Sequence, residues 1–308
     1  MSELIKYNIS QAKNNIKHGN FENAVSLLKN ILLNQPNNTY AKKTLKKIEK
    51  NKNDLFRFSK QAPNELINKI VLCYSNKNYT FFDLLIESNI KKYEYCPFIN
   101  QFKGVSLKRK QKFTEAIIYF NKSIELNPNY WESFNNLGNL YFEMKMYNEA
   151  LWHYDKVIEI NPHFSGAFCN RSNVNTELEN YKSALDDLNQ AIKIDQNAII
   201  AWYNKGNVLT KLGQFQKAIK CFEKTILLNP KYFEAYTNLS SCYEELGCLQ
   251  DALSCINKAL EINHNHNLSH YNKAVILFRL GDLNEAISSY DFIKNMKGKK
   301  NDIKWNKA

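Results

Sequence analysis

The sequence predicts an all-α fold, a right-handed α-solenoid of antiparallel helical hairpins. Three observations carry that prediction. Asparagine recurs every 34 residues at Asn136, Asn170, Asn204, Asn238, Asn272 and Asn306, and alanine keeps the same interval at Ala116, Ala150, Ala184, Ala218, Ala252 and Ala286. Within each interval the apolar residues fall into two runs of helical spacing. Glycine and proline are scarce, 9 and 6 in 308 residues, which suits helices and leaves few turns for a sandwich or barrel. A strict interval of this length marks stacked units, each too small to bury its own apolar face.

The elements follow in order. Residues 5–38 read as a first unit, with Gly19, Phe21, Ala24 and Pro36 in place. Residues 39–62 interrupt the interval with TYAKKTLKKIEKNKND, a lysine-rich helix and linker. Tyr40, Leu45 and Ile48 share one face of that helix and lysines the other, so it is expected to cap the first hairpin and lead to Pro63. Residues 63–130 hold two divergent units, the first with Phe82 where a small alanine is expected. Residues 131–300 hold five regular units. Residues 301–308, NDIKWNKA, start a further unit with Trp305 and Asn306 on the beat, and the sequence stops there.

The unit from Trp131 shows the internal logic. Phe134, Leu137, Gly138 and Tyr141 precede Ala150, Tyr154 and Pro162. That spacing predicts two helices joined by a turn near Met146–Asn148. Gly138 and Ala150 leave room for close crossing, and Asn161-Pro162 ends the second helix because the residue before a proline avoids the helical region. Later units repeat the pattern with Trp202, Gly206, Ala218, Phe222 and Pro230, then Tyr236, Leu239, Tyr243 and Ala252.

These residues carry a resemblance to the tetratricopeptide repeat family, which has this spacing and this repeat length. Departures exist. Arg171 and Ser172 replace the usual Leu-Gly, and Gln196 and His264 replace the proline. The resemblance implies that the first helix of each unit lines a concave surface that binds other chains.

Composition sets the class. The charged fraction is 23% and the hydrophobic fraction 44%, as in ordinary globular proteins. The net charge of +12 is uneven: residues 1–62 carry +8 and residues 131–266 carry −4. The seven cysteines form no CxxC pair and read as small hydrophobes, Cys242, Cys248 and Cys255 included. A reducing, cytoplasmic location is expected. No signal peptide and no membrane span is read. The lysines at 42–52 lack the interleaved aromatics of a nucleic-acid surface and read as a solvated face.

The candidate site is the asparagine row. Asn139, Asn173 and Asn207 lie three residues after Asn136, Asn170 and Asn204, on the same helical face. A carboxamide both donates and accepts. Asn136, Asn139, Asn170, Asn173, Asn204, Asn207, Asn238 and Asn272 therefore form a ladder suited to gripping the amides of an extended peptide. A second role stands open: the same amides can bridge neighbouring helices. The row resembles the asparagine ladder of O-linked N-acetylglucosamine transferases, whose N-terminal superhelix holds extended polypeptides.

Other constellations carry less. Cys169, Tyr203, Thr237 and Tyr271 precede the row members, and the tyrosines read as half-buried helix aromatics. Lys205, Lys211, Lys273 and Arg279 are the candidates for a carboxylate clamp of the kind some relatives use. His264, His266 and His270 read as a solvated turn, with no further ligand for a metal. Asp186-Asp187 and Glu244-Glu245 read as hydrated carboxylates. No catalytic signature and no cofactor motif is present. The expected function is a non-catalytic scaffold that binds an extended segment of another protein, without nucleic acid or membrane. The alternative is the substrate-recruiting front part of a glycosyltransferase or sulfotransferase. Self-association through the uncapped C-terminal unit is a further expectation.

Overall fold

The computed structural model describes residues 3–17, 21–50 and 62–298. They form seventeen helices, and there is no strand among the described residues. The chain divides into two compact units, Met1–Leu137 and Gly138–Ala308, and each stands here by itself. The expectations for residues 51–61 and 301–308 lie outside the described residues.

In the first unit, α1 (Glu3–Lys17) pairs with α2 (Phe21–Asn34), and α3 (Thr39–Lys50) packs on α2. Ile5, Ala12, Leu28, Ile31 and Ala41 make their core, with Tyr40 and Leu45 against it. Lys42, Lys43 and Lys46 face outward. Apolar and lysine side chains thus lie on opposite faces between Tyr40 and Lys46, and the Ile48 side chain lies outside the described residues.

Next come α4 (Asn64–Ser75) and α5 (Tyr79–Asn89), then α6 (Pro97–Arg109) and α7 (Phe113–Leu126). Phe82 fits the alanine position because the ring fills a core of Ile70, Ile86 and Ile99. Tyr74 and Phe102 pack on it with ring centroids at 5.4 and 5.8 Å. The division between the units falls within α8 (Trp131–Glu143).

The second unit continues through α9 (Tyr147–Ile160), α10 (Ser165–Glu177), α11 (Tyr181–Ile194), α12 (Ile199–Lys211) and α13 (Phe215–Leu228). It ends with α14 (Phe233–Glu245), α15 (Leu249–Ile262), α16 (Asn267–Leu280) and α17 (Leu283–Gly298). Each first helix packs against its own second helix and against the second helix of the hairpin before. The alanine beat marks these crossings: Ala150, Ala184, Ala218 and Ala252 are fully buried. A Cβ on Gly138 would come within 2.5 Å of the Tyr154 ring, and one on Gly206 within 2.5 Å of Phe222. Those glycines let an aromatic ring approach the first helix closely.

The turn inside each hairpin has its own beat. Lys77, Gln111, Lys145, Glu179, Gly213, Gly247 and Gly281 all have left-handed φ, between 57° and 85°. At Lys145 the amide of Met146 donates to Tyr141 O (2.8 Å) and that of Lys145 to Phe142 O (2.9 Å). This is the paired-bond ending that a left-handed residue makes possible. The reversal thus sits at Lys145, and α9 already starts at Tyr147, one turn position earlier than the spacing suggested.

The turn between hairpins explains the missing prolines. Phe164 N donates to Asn161 O (3.2 Å), Ala198 N to Asp195 O (3.1 Å), Tyr232 N to Asn229 O (3.1 Å) and His266 N to Asn263 O (3.2 Å). The same backbone bond forms with Pro162 or Pro230 and with Gln196 or His264 in the next position. At two of these turns an Asx side chain helps, since Asp195 Oδ1 accepts from Asn197 N (2.9 Å) and Asn229 Oδ1 from Lys231 N (3.1 Å).

Candidate peptide-binding face

Within the second unit, α10 touches α12, α12 touches α14, and α14 touches α16. The second helices make no comparable contact among the described residues. First helices therefore crowd and second helices splay, which puts the first helices on the inner side of this unit.

The asparagines lie along that layer and bond across it. Asn204 Nδ2 donates to Asn173 Oδ1 at 2.8 Å, and Asn238 Nδ2 donates to Asn207 Oδ1 at 2.8 Å. Asn272 Nδ2 donates to Ser241 Oγ at 3.1 Å, where serine stands in for the next asparagine. Each bond spans 31 residues, from a row member to the residue three positions after the row member before it. Asn238 Nδ2 also reaches the Tyr203 hydroxyl at 3.1 Å. Asn139 Oδ1 accepts from the Tyr154 hydroxyl at 2.7 Å, inside its own hairpin. Asn136 lies in α8 and, like Asn170, is half-buried.

The bridging role that the sequence left open is thus present in the fold. The bonds do not exhaust the amides. Asn173 uses only its carbonyl oxygen in the ladder and keeps both N–H groups, and Asn204 keeps its carbonyl oxygen. All of these side chains are partly exposed.

Tyr203 is half-buried as expected, between Tyr232 at 4.9 Å and Phe222 at 6.0 Å, and burial first of all raises its phenol pKa. It stays protonated and serves the ladder as a neutral hydroxyl. Tyr271 departs from the expectation: it is 52% exposed, because no helix of the described residues covers its side of the last hairpin.

Three further expectations are corrected. Asp187 is not hydrated but 5% exposed. Arg171 Nε meets its Oδ2 at 3.0 Å, the same guanidinium meets Asp155 Oδ1 at 2.6 Å, and Asn175 Nδ2 donates to Asp187 at 3.2 Å. Glu244 accepts from Arg279 at 3.0 Å. His270 is buried rather than solvated: its ring stacks on Phe292 at 4.0 Å and its Nε2 lies 2.8 Å from His264 O. Burial first of all lowers its pKa. His266 Nδ1 is taken by Ser269 Oγ at 2.8 Å, so the pair does not converge on one point. No group of three metal-ligating residues occurs among the described residues.

Two of the basic candidates for a clamp, Lys205 and Arg279, are engaged by neighbouring side chains. Lys205 reaches back to Asn189 Oδ1 (2.7 Å), 16 residues earlier on the second helix of the preceding hairpin. Arg171 makes the same step to Asp155, and in the first unit Lys103 makes it to Glu87. This recurrent staple was legible only as a spacing of 16 between opposite or polar partners.

Known sequences decide the family. Tetratricopeptide repeat models match residues 131–164 and 199–232, 172–213, 221–254, and 99–130 with 269–291, together more than half of the chain. This chain is a tetratricopeptide repeat protein. Among curated proteins none matches it.

Solved structures show the same fold. The tetratricopeptide solenoid resembles the APC/C hetero-tetramer Cut9–Hcn1 with a TM-score of 0.65 and 16% identity, over 96% of this chain and 53% of that one. It resembles a tetratricopeptide repeat protein from Parabacteroides merdae with a TM-score of 0.59 and 17% identity, over 76% and 92%. The MamA protein is 27% identical over 55% of this chain and 92% of its own, with a TM-score of 0.49. No helix of the described residues is long and apolar enough to cross a membrane.

Proposed function

We propose that this tetratricopeptide repeat protein is a non-catalytic scaffold that holds an extended polypeptide along its first-helix layer. The observation that carries the reading is the half-satisfied ladder. Asn173, Asn204, Asn207, Asn238 and Asn272 are held in place by bonds between hairpins, yet several keep outward hydrogen-bonding capacity. A preordered amide is a good partner for a peptide backbone, because little side-chain entropy is lost on binding. Amides read the backbone and not the side chains, so the preference for sequence is weak. Asn136, Asn139 and Asn170 belong to the same reading by their place in the repeat.

The test is capture from native cells with the wild type and with Asn136, Asn170, Asn204 and Asn238 all changed to Ala. A polypeptide retained only by the wild type supports the reading. Equal capture by a folded quadruple variant overturns it. The likeness of the ladder to that of O-linked N-acetylglucosamine transferases favours a second reading, in which the scaffold recruits substrate for a glycosyltransferase or sulfotransferase domain. The intact mass in native cells separates the two: about 36 kDa for a free scaffold, and a much larger species for a recruiting arm.

A further inference from the structure

A pocket of about 450 Å³ opens between α11 and α13, with Trp202 of α12 in its wall. Trp202 stands two residues before Asn204, about 200° around the same helix, so the pocket and the ladder lie on different sides of α12. The wall is held in place. Trp202 Nε1 donates to Gln196 O at 3.0 Å. The Lys205 ammonium sits 5.5 Å from the centre of the indole and donates to Asn189 Oδ1 at 2.7 Å. Ile192 extends the apolar part of the lining, and Asn189, Gln196 and Asn197 supply amides.

The charge around this pocket departs from the rest of the repeat. Where Lys193 stands, other second helices carry Glu125, Glu159 and Glu261. Where Lys205 meets Asn189, other hairpins pair Arg171 with Asp155 and Lys103 with Glu87. A neutral amide thus replaces the carboxylate, and the Lys205 charge is not offset. Lys193 and Lys224 both line the pocket, and no carboxylate does. None of the three lysines forms an ion pair among the described residues. Asp195, in the adjoining turn, accepts from Asn197 N at 2.9 Å.

Three unmatched cations around one pocket attract anions, and lysine takes a phosphate group as a point charge. The indole and Ile192 offer an apolar wall to a planar ring, and the amides offer donors and acceptors to its edge. We propose that this pocket binds a nucleoside di- or triphosphate, with the phosphates at Lys193 and Lys224 and the base against Trp202 and Ile192. The several negative charges of such a ligand match three lysines better than one phosphate group does. The site is independent of the ladder, and either reading stands if the other fails.

Equilibrium dialysis of the full chain against ADP, without magnesium, tests this, with pyrophosphate and adenosine as the partial ligands. ADP is expected to bind, and each partial ligand to bind about tenfold more weakly or worse. Lys193→Glu, which restores the charge found at the equivalent positions, and Lys224→Glu should each weaken ADP about tenfold or more, with unchanged urea midpoints. Trp202→Phe, which follows Phe168 at the same place in the repeat, should weaken ADP several-fold and leave pyrophosphate unaffected. No retention of ADP at millimolar concentration, or ADP affinity unchanged in both lysine variants, overturns the proposal. So does pyrophosphate that binds as tightly as ADP, since the indole then reads no ring.

Discussion

Asn238 donates to Asn207 across the junction of two hairpins at 2.8 Å, and the residues are 31 apart in sequence. The bond recurs one hairpin earlier between Asn204 and Asn173 and one later, with serine as acceptor, between Asn272 and Ser241. Stacking therefore draws on the amides to which we assign recognition. A repeat protein is stable through its junctions, so a ladder that closes junctions also fixes the spacing of any peptide it holds.

A double-mutant cycle on Asn207→Ala and Asn238→Ala measures that bond. A net coupling of about 1 kcal/mol is expected, since each partner is partly exposed and the bond replaces bonds to water. Urea unfolding of the four proteins gives the value. Additive losses would show that the two amides act independently.

Three of the seven left-handed turn positions carry glycine and four do not. A side chain at such a position costs roughly 1 kcal/mol relative to glycine. Lys145→Gly and Glu179→Gly should each stabilise the protein by about that amount in denaturant titrations. Gly247→Ala should destabilise it by a similar amount.

Arg171 joins one buried carboxylate and one exposed carboxylate. Arg171→Ala leaves Asp187 buried with only Asn175 beside it and should cost about 3 kcal/mol. Asp155 is 58% exposed, so Asp155→Ala should cost less than about 1 kcal/mol. Thermal unfolding of the two variants checks the order.

His153 and His270 both have pKa values below the usual 6.5, in each case first because burial disfavours the imidazolium. The folded state keeps both rings neutral while the unfolded chain takes up protons below about 6.5. The unfolded state then binds more protons, so stability falls as pH falls through that value and levels off below the folded values. Unfolding free energy measured between about pH 7 and pH 5 should show this slope, and His270→Gln should flatten it.

The beats at Asn136 and Ala150 were legible because a solenoid repeats its contacts, and each contact demands the same residue type at the same place. Phe82 and Gln196 were legible as departures but not in their remedy. Phe82 is absorbed by Tyr74 and Phe102, which no spacing rule links to it. Gln196 is absorbed by a backbone bond that any residue can make. Asp187 and His270 were misread because a polar residue on a helix was assigned to water. Their partners, Arg171 and Phe292, come from other helices, and only the packed structure brings them together. In the candidate site, the spacing of the row is visible in the sequence but its pairing is not. The 31-residue offset depends on how far one hairpin advances over the next.

The central claim is that the ladder's outward amide groups hold a polypeptide. Asn173→Asp tests it most directly, because the carboxylate still accepts from Asn204 while the two outward N–H groups are lost. Affinity for the captured polypeptide should fall about tenfold or more, the value of one or two lost bonds. The unfolding free energy should stay within about 0.5 kcal/mol of the wild type. Unchanged affinity in a protein of unchanged stability would contradict the account and leave the asparagines a purely structural role.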